Sequence, residues 1–311
     1  MSDQSILQPV SNTNRTPSSH TGSEVVRARV GQIRKRFRRG ATGAGAGRDV
    51  VEQISGTAVE VRGDAPGVPA IRPRRTIVSR RDVWDLLPPV SPGVRRHFLS
   101  GAPLVNFFRN DPAARAFDLL RTRLLQTLRD NGWSRIAIAS PTSGCGATFT
   151  AVNLAQSLAR VPGSRTVLMD INHRTPGIAD LLEIDQSGDM RGFLSGDVPL
   201  ENHLMRASKT LALGLATPCD TGAAEILHDA RCGETLGQMH RALRPDVTLY
   251  DLPPILAHDD LAAFLPQVDG VLLVVDGTET TATQIAACER VLDGQTQLLG
   301  IILNRARKSE G

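Results

Sequence analysis

Three groups of residues have the types and spacing for phosphate chemistry. The first is the turn Ser143-Gly144-Cys145-Gly146-Ala147-Thr148-Phe149, which follows the apolar run RIAIAS (135–140) and leads into the helical pattern ATFTAVNLAQSLAR. Gly144 and Gly146 permit backbone conformations in which successive N–H groups converge on a phosphate, and a helix opening near Ala147 adds its positive dipole end. The Thr148 hydroxyl is placed for Mg²⁺. The other two groups are LMDINHRTP (168–176) and TLYDLPP (248–254), each ending an apolar run with a carboxylate, Asp170 and Asp251. A glycine turn, a hydroxyl and two carboxylates supply what phosphoryl transfer requires: positioning, a metal and stabilisation of phosphate charge.

These groups must be brought to one edge by the elements that carry them. Six apolar runs, at 135–140, 165–170, 211–216, 247–252, 270–276 and 298–303, alternate with segments long enough for crossover helices. Continuous apolar strands with helical crossovers predict a parallel sheet covered by helices on both faces, with binding at the carboxyl ends of the strands. Upstream, DPAARAFDLLRTRLLQTLRD (111–130) puts Phe117, Leu120, Leu124 and Leu128 on one helical stripe that Asp111-Pro112 can start. The predicted fold is therefore a three-layer α/β domain over 105–311. Residues 1–104, rich in Ser, Thr, Gly, Pro and Arg, read as a basic, low-complexity, largely disordered arm.

In motif order the chain resembles the bacterial tyrosine kinases of capsule and exopolysaccharide synthesis, the CpsD/CapB type. These belong to the deviant P-loop ATPases, which also include partition and Mrp proteins. The family has a loop ending GKS or GKT, a following helix with NLA, a strand ending DxDxRxP, another ending DxPP and a last strand ending in Asn. This chain reads GCGAT with Asn153-Leu154-Ala155, then Asp170-Ile171-Asn172-His173-Arg174-Thr175-Pro176, then Asp251-Leu252-Pro253-Pro254, then GIILN ending at Asn304. The resemblance covers roughly 105–311 and implies a P-loop NTPase-like fold with Mg-ATP as cofactor. It implies that Ser143 to Phe149, with Arg174 and Asn304, surround the nucleotide, Asn304 at the adenine. Thr148 and Asp251 would hold Mg²⁺, Asp251 through water, and Asp170 would stand near the transferred phosphoryl group, so that Asp170 and Asp251 are the catalytic pair of an active enzyme.

The departures bear on function as much as the matches. Ala147 stands where the family has its loop lysine, and the chain's three lysines, Lys35, Lys209 and Lys308, are far away in sequence. Thr142 occupies the position of the partition-type second lysine. Loss of a charge-assisted contact costs about 1.5–3 kcal/mol in binding, and loss of a comparable transition-state cation costs about 10³-fold or more in rate. Arg174 or a second subunit's arginine is the candidate replacement. Asn172 replaces the second carboxylate of the DxDxR pattern. Tyr250, the sole tyrosine, sits in a predicted core strand, and the family's C-terminal tyrosine cluster has no counterpart in RARKSEG. The family's subunit-contact motif ExxRxxR falls on Arg115, Asp118 and Arg121, with the first two charges reversed; a swapped pair at i, i+3 can join on one helix.

Charge and composition bound the partners. Residues 1–110 carry 18 basic and 8 acidic side chains, whereas 111–311 carry 18 and 24, so the chain's net charge of +4 divides into +10 and −6. The basic character belongs to the arm, and specific nucleic-acid binding is not expected. VRARVGQIRKRFRRG (26–40) crowds arginines and Lys35 around Val30, Ile33 and Phe37, a pattern suited to an anionic membrane surface. RRDVWDLLPPV (80–90) reads as a docking peptide with Trp84, Leu86 and Leu87 exposed. The start MSDQSILQPV lacks the features of a secretory signal, and no apolar run approaches the roughly 20 residues of a membrane span. Cys145, Cys219, Cys232 and Cys288 have neither disulfide-framework nor metal-cluster spacing.

The leading functional reading is a regulator of exopolysaccharide or capsular polysaccharide biosynthesis or export with weakened or lost catalysis and weakened Mg-ATP binding. It would be cytoplasmic and peripheral at the inner face of the membrane, partnered by a membrane polysaccharide copolymerase and able to form a homo-oligomer. The alternative is an active ATP-dependent protein tyrosine kinase of the same pathway, and a partition- or Mrp-type ATPase ranks third.

Overall fold

The apolar runs become strands, four of them buried along their whole length, the first buried beyond Arg135 and the last, 297–304, only partly buried. The computed structural model describes residues 82–93, 112–185, 188–219 and 222–306. Its elements in chain order are α1 (Val83–Leu86), α2 (Pro112–Asn131), β1 (Arg135–Ala139), α3 (Ala147–Ala159), β2 (Thr166–Asp170), α4 (Ile178–Leu181), α5 (Met190–Leu194), α6 (Leu200–His203), β3 (Leu204–Arg206), β4 (Leu211–Gly214), α7 (Ala223–His228), α8 (Ala230–Leu243), β5 (Val247–Asp251), α9 (Asp260–Phe264), β6 (Gly270–Asp276), α10 (Ala282–Leu292) and β7 (Gln297–Asn304). All six predicted runs form strands of one sheet, in the order β3-β4-β2-β5-β1-β6-β7.

Six of the seven strands run parallel; β3 alone is antiparallel, pairing Leu204 with Gly214 and Arg206 with Ala212. The sequence reading expected a wholly parallel sheet and missed this strand. Its three residues are too few for a periodic signal, and the tight connection at 207–210 makes it a hairpin with β4.

Burial on both faces hides a period of two inside strands that read as continuously apolar. Ile136 and Ile138 of β1, Leu168 of β2, Leu249 of β5 and Val274 of β6 face one core, which α2 and α3 cover. Ala137, Ala139, Val167, Met169, Tyr250 and Leu273 face the other, which α8 and α10 cover. The predicted stripe of α2 is buried as Phe117, Leu120, Leu124 and Leu128, and Pro112 is the first helical residue, where its missing N–H costs nothing. Asp118 on α2 binds Arg121 at 3.1 Å, the swapped i, i+3 pair. It also accepts from Ser157 Oγ at 2.7 Å and pairs with Arg160, which ties α2 to the end of α3.

Residues 82–93 correct the sequence reading. Trp84 and Leu87 are not exposed: both are 1% accessible and belong to the core under the sheet, leaving Leu86, at 50%, as the outward residue. Four helical residues carry too little periodicity to reveal which way they face. The Trp84 ring is roofed by Arg165, whose guanidinium carbon lies 5.1 Å from the ring centroid and whose side chain pairs with Asp82. Beyond α1 the segment lies along β3: Arg206 N donates to Pro88 O at 2.8 Å, and Val90 N donates to Arg206 O at 3.0 Å. These residues are thus part of the folded unit, on the arm side of the expected boundary at 104/105. The boundary itself, the basic segment 26–40 and Asp111 lie outside the described residues.

Candidate phosphate-binding site

The site forms where β1 ends and α3 begins. Ser140 is buried and its hydroxyl donates to Thr142 O at 2.8 Å, turning the chain as it leaves the sheet. Gly144 (φ +85°) and Gly146 (φ +89°) both adopt left-handed backbone, and Gly146 is the N-cap of α3. Glycine is needed at Gly146 for a second reason. A Cβ there would collide with the amide nitrogen of Asn304, at the end of β7. That amide donates to Cys145 O at 3.0 Å, so the last strand grips the loop. Asn304 is accordingly placed on the loop backbone.

The cleft above this loop has a volume of about 250 Å³ and is lined by Ser140, Ser143, Gly144, Gly146, Ala147, Thr148, Asn172, Thr175, Leu252 and Pro254. Ser143, Gly144, Gly146, Ala147 and Thr148 from the predicted set therefore come together in one wall. Cys145 and Phe149 do not. Cys145 is 3% exposed, its Sγ 3.5 Å from Thr142 Oγ1 and 3.7 Å from Thr280 Oγ1. Phe149 packs edge-on against Phe117, with centroids 6.4 Å apart, because its side of α3 faces α2. Arg174 is not in the wall either: its guanidinium makes a bidentate pair with Asp260 at 2.8 and 3.3 Å. Asn172, Thr175, Leu252 and Pro254 were not singled out as lining residues. Asn172 and Thr175 lock each other there through side-chain bonds of 3.1 and 3.3 Å, an arrangement whose signal was the Asx-type spacing N-x-x-T.

Behind the floor lie the two carboxylates. Asp170 and Asp251 are register partners at the ends of adjacent parallel strands, and both are fully buried. Asp170 accepts the backbone N–H groups of Asn172 at 3.3 Å and of Gly177 and Ile178 at 3.1 Å each. Burial raises its pKa to about 7 despite those three donors. Neither oxygen of Asp251 has a hydrogen-bond partner of normal geometry. Burial first, and then the neighbouring Asp170 charge, push Asp251 well above the usual carboxylate range, against the pull of the Thr148 hydroxyl.

This donor set fits a divalent cation with a phosphate. Thr148, at the mouth of α3, has a hydroxyl that a metal could take; Asp251 behind it is a carboxylate with no other partner; and the helix dipole at the loop would favour an anion. Asp276 ends the next strand, β6, and is occupied differently: it accepts from Arg305 at 2.7 Å and from Thr278 at 2.6 and 2.7 Å. Its role is to close the turn beneath Asn304.

The comparisons bear on the fold. The kinase domain of the Escherichia coli tyrosine kinase ETK superposes with a TM-score of 0.60 at 22% identity, over 67% of this chain and 84% of that one, which shows the shared fold. The VpsO kinase domain matches with a TM-score of 0.55 at 26% identity, over 61% and 93%. Among curated relatives, YwqD of Bacillus subtilis, named a tyrosine-protein kinase, is 26% identical over 193 residues, 61% of this chain and 80% of its own. In sequence and fold the chain is similar to the bacterial tyrosine kinases among the P-loop ATPases. Kinship within the wider superfamily extends to the chromosome-partitioning ATPase Soj of Thermus thermophilus, 34% identical over 179 residues, 54% of this chain and 68% of Soj. EpsB of Ralstonia nicotianae, provisionally named a tyrosine-protein kinase, is 26% identical over 200 residues, and the chain spans about a quarter (26%) of EpsB's length. No protein-family profile matches the chain.

Proposed function

We propose that this tyrosine-kinase-like chain is a regulator in exopolysaccharide or capsular polysaccharide biosynthesis or export, with weak Mg-nucleotide binding and weakened or lost phosphoryl transfer. The observation that carries the reading is the composition of the cleft: the loop, Thr148 and Asp251 are arranged for a metal-bound phosphate, while the first residue of α3 is Ala147 and no lining residue is cationic. Mg²⁺ would be held by Thr148 and, through water, Asp251, and would neutralise charge on the phosphates when bound. Thr148 would orient it, and the loop amides would hold the phosphate. Asp170, with three backbone donors on its carboxylate, is the group available to accept a proton at the reacting end of the site.

The partner in this reading is a membrane polysaccharide copolymerase, with the basic arm adding attraction to an anionic membrane surface and the protein working at the cytoplasmic face. Among the described residues no helix is long and apolar enough to cross a membrane.

An active tyrosine kinase remains the second reading, favoured by the side-by-side placement of Asp170 and Asp251. Transfer of radiolabel from ATP to tyrosine of the copolymerase's cytosolic tail, measured with the full chain, separates the two. No transfer by the wild type but transfer by Ala147→Lys supports the regulator. Wild-type transfer that is lost in Asp170→Ala establishes the kinase.

A further inference from the structure

The 311 residues hold one tyrosine, Tyr250, and it is next in sequence to Asp251 of the candidate site. Nearness along the chain does not bring its phenol to the phosphate. Successive side chains of a strand leave opposite faces of the sheet. The Asp251 carboxylate lies beside Asp170 behind the cleft, whereas the Tyr250 ring enters the core on the other face, edge-on to Phe264 with centroids 5.0 Å apart. β5 is the middle strand of the seven, and Tyr250 is held there between Ala137 of β1 and Met169 of β2. The residue is 0% accessible, and burial pushes its phenol well above the ordinary tyrosine range.

In phosphorylation of a tyrosine the phenolic oxygen bonds to the terminal phosphorus of ATP, the bond from that phosphorus to the departing ADP oxygen breaks, and the phenolic proton passes to a base. The oxygen must come within about 3–3.5 Å of the phosphorus, in line with the leaving group. Tyr250 cannot meet that geometry in its own site, which lies beyond the strand end and away from the core that holds the ring. Nor can it do so in the site of a second molecule, from which β1, β2 and the helices covering that core separate it. Only opening of the middle strand exposes the ring, and the most protected strands open at the free energy of global unfolding. The exposed fraction is then about 10⁻³–10⁻⁶. A ring that gained the phosphate's charge of about −1.5 to −2 could not return to an apolar core.

We infer that this chain, while folded, is neither its own phosphoryl acceptor on tyrosine nor a target of other tyrosine kinases. Any transfer to tyrosine that it performs ends on a second polypeptide presenting an exposed tyrosine, and control of this chain by its own phosphotyrosine is absent. The statement about Tyr250 stands independently of the nucleotide site; the statement about the acceptor rests on the kinase reading above.

The test incubates the folded full chain, as wild type and as Ala147→Lys, with Mg-ATP, alone and with an added tyrosine kinase selected because it labels the free peptide PDVTLYDLPP (245–254). Mass spectrometry reads phosphate at Tyr250. Labelling of the folded chain by the added kinase is expected to be slower than that of the peptide by about 10³-fold or more, with no phosphate at Tyr250 when the chain is alone. Faster labelling by the added kinase, or phosphate placed on Tyr250 by either form of the chain alone, overturns the inference. Because the added kinase reads Tyr250 without calling on this chain's own activity, failure of the kinase reading and failure of the inference give different results.

Discussion

Replacing Asp251 by Asn removes one carboxyl from a buried pair and almost nothing else, so its effect on stability is calculable. In the folded chain Asp251 sits well above the usual carboxylate range, raised by burial and by Asp170, whereas in the unfolded chain it titrates near 3.8. Above the unfolded value the folded wild type therefore retains a proton on Asp251 that the unfolded chain has lost. Where the folded state binds more protons, stability falls as pH rises, by about 1.4 kcal/mol per pH unit for one proton. Asp170, raised to about 7, adds a similar slope in the same window. His173 and His203 act the opposite way: burial lowers each to about 4, so stability is lost as pH falls from 6.5.

Both histidines are present in wild type and variant alike and cancel in the difference. What remains is the titration of the carboxyl pair, in which Asp170 interacts with Asp251. The stability of Asp251→Asn relative to wild type is expected to rise with pH above the unfolded carboxylate value, by at most about 1.4 kcal/mol per pH unit. Any constant cost of the buried amide shifts the difference without changing its slope. Urea unfolding of the metal-free full chain at four pH values, in EDTA, measures it. A difference that is flat across pH would mean that Asp251 is ionised in the folded protein, and the account of the buried pair would fail.

Trp84→Ala is expected to cost about 3–5 kcal/mol in the same unfolding assay, the range for a buried aromatic, where an exposed docking residue would cost almost nothing. Asn304→Ala leaves the Cys145 carbonyl unsatisfied and is expected to cost about 1–3 kcal/mol and to weaken Mg-ADP binding by calorimetry. The binding loss tests whether β7 positions the loop or merely neighbours it. His203, stacked on Phe193 at 4.6 Å with both ring nitrogens unpartnered, gives an acid-side test: His203→Leu is expected to flatten the loss of stability between pH 6 and 4.5 by about 1.4 kcal/mol per pH unit in urea unfolding.

What could be read from sequence was set by how local each signal is. The parallel strands and the α2 stripe were legible because their apolar patterns extend over five or more residues and have one structural solution. The loop wall was legible for a related reason: Gly144, Gly146 and Thr148 fall within five residues, and the left-handed backbone at both glycines is a local requirement, although the clash that also keeps Gly146 bare comes from distant Asn304. Asp170 and Asp251 could be placed at one edge because a parallel sheet sends both strand ends the same way. The failures are nonlocal or two-sided. Nothing in the run Asn172-His173-Arg174 tells that Asn172 faces the cleft while Arg174 turns to Asp260, 86 residues onward. Phe149 follows the loop immediately yet belongs to the α2 interface, since one residue step along a helix turns a side chain through about 100°. β3 and the burial of Trp84 depend on each other's position and on a core that neither segment encodes alone.

The segment 82–93 also determines how this sheet ends. A terminal strand offers a row of unpaired amides and carbonyls to which a stray chain can add, the usual route to aggregation. Here Pro88 and Val90 take up the pairing groups of Arg206. Pro88 and Pro89 have no N–H to offer in turn, so the growth of the sheet stops at that border. A protein trimmed to begin at residue 105, where the change in composition invites the cut, would lose Trp84 from its core and bare the β3 border in one step. Its poor behaviour in solution would then reflect the missing selvage of the sheet and say nothing about the phosphate cleft.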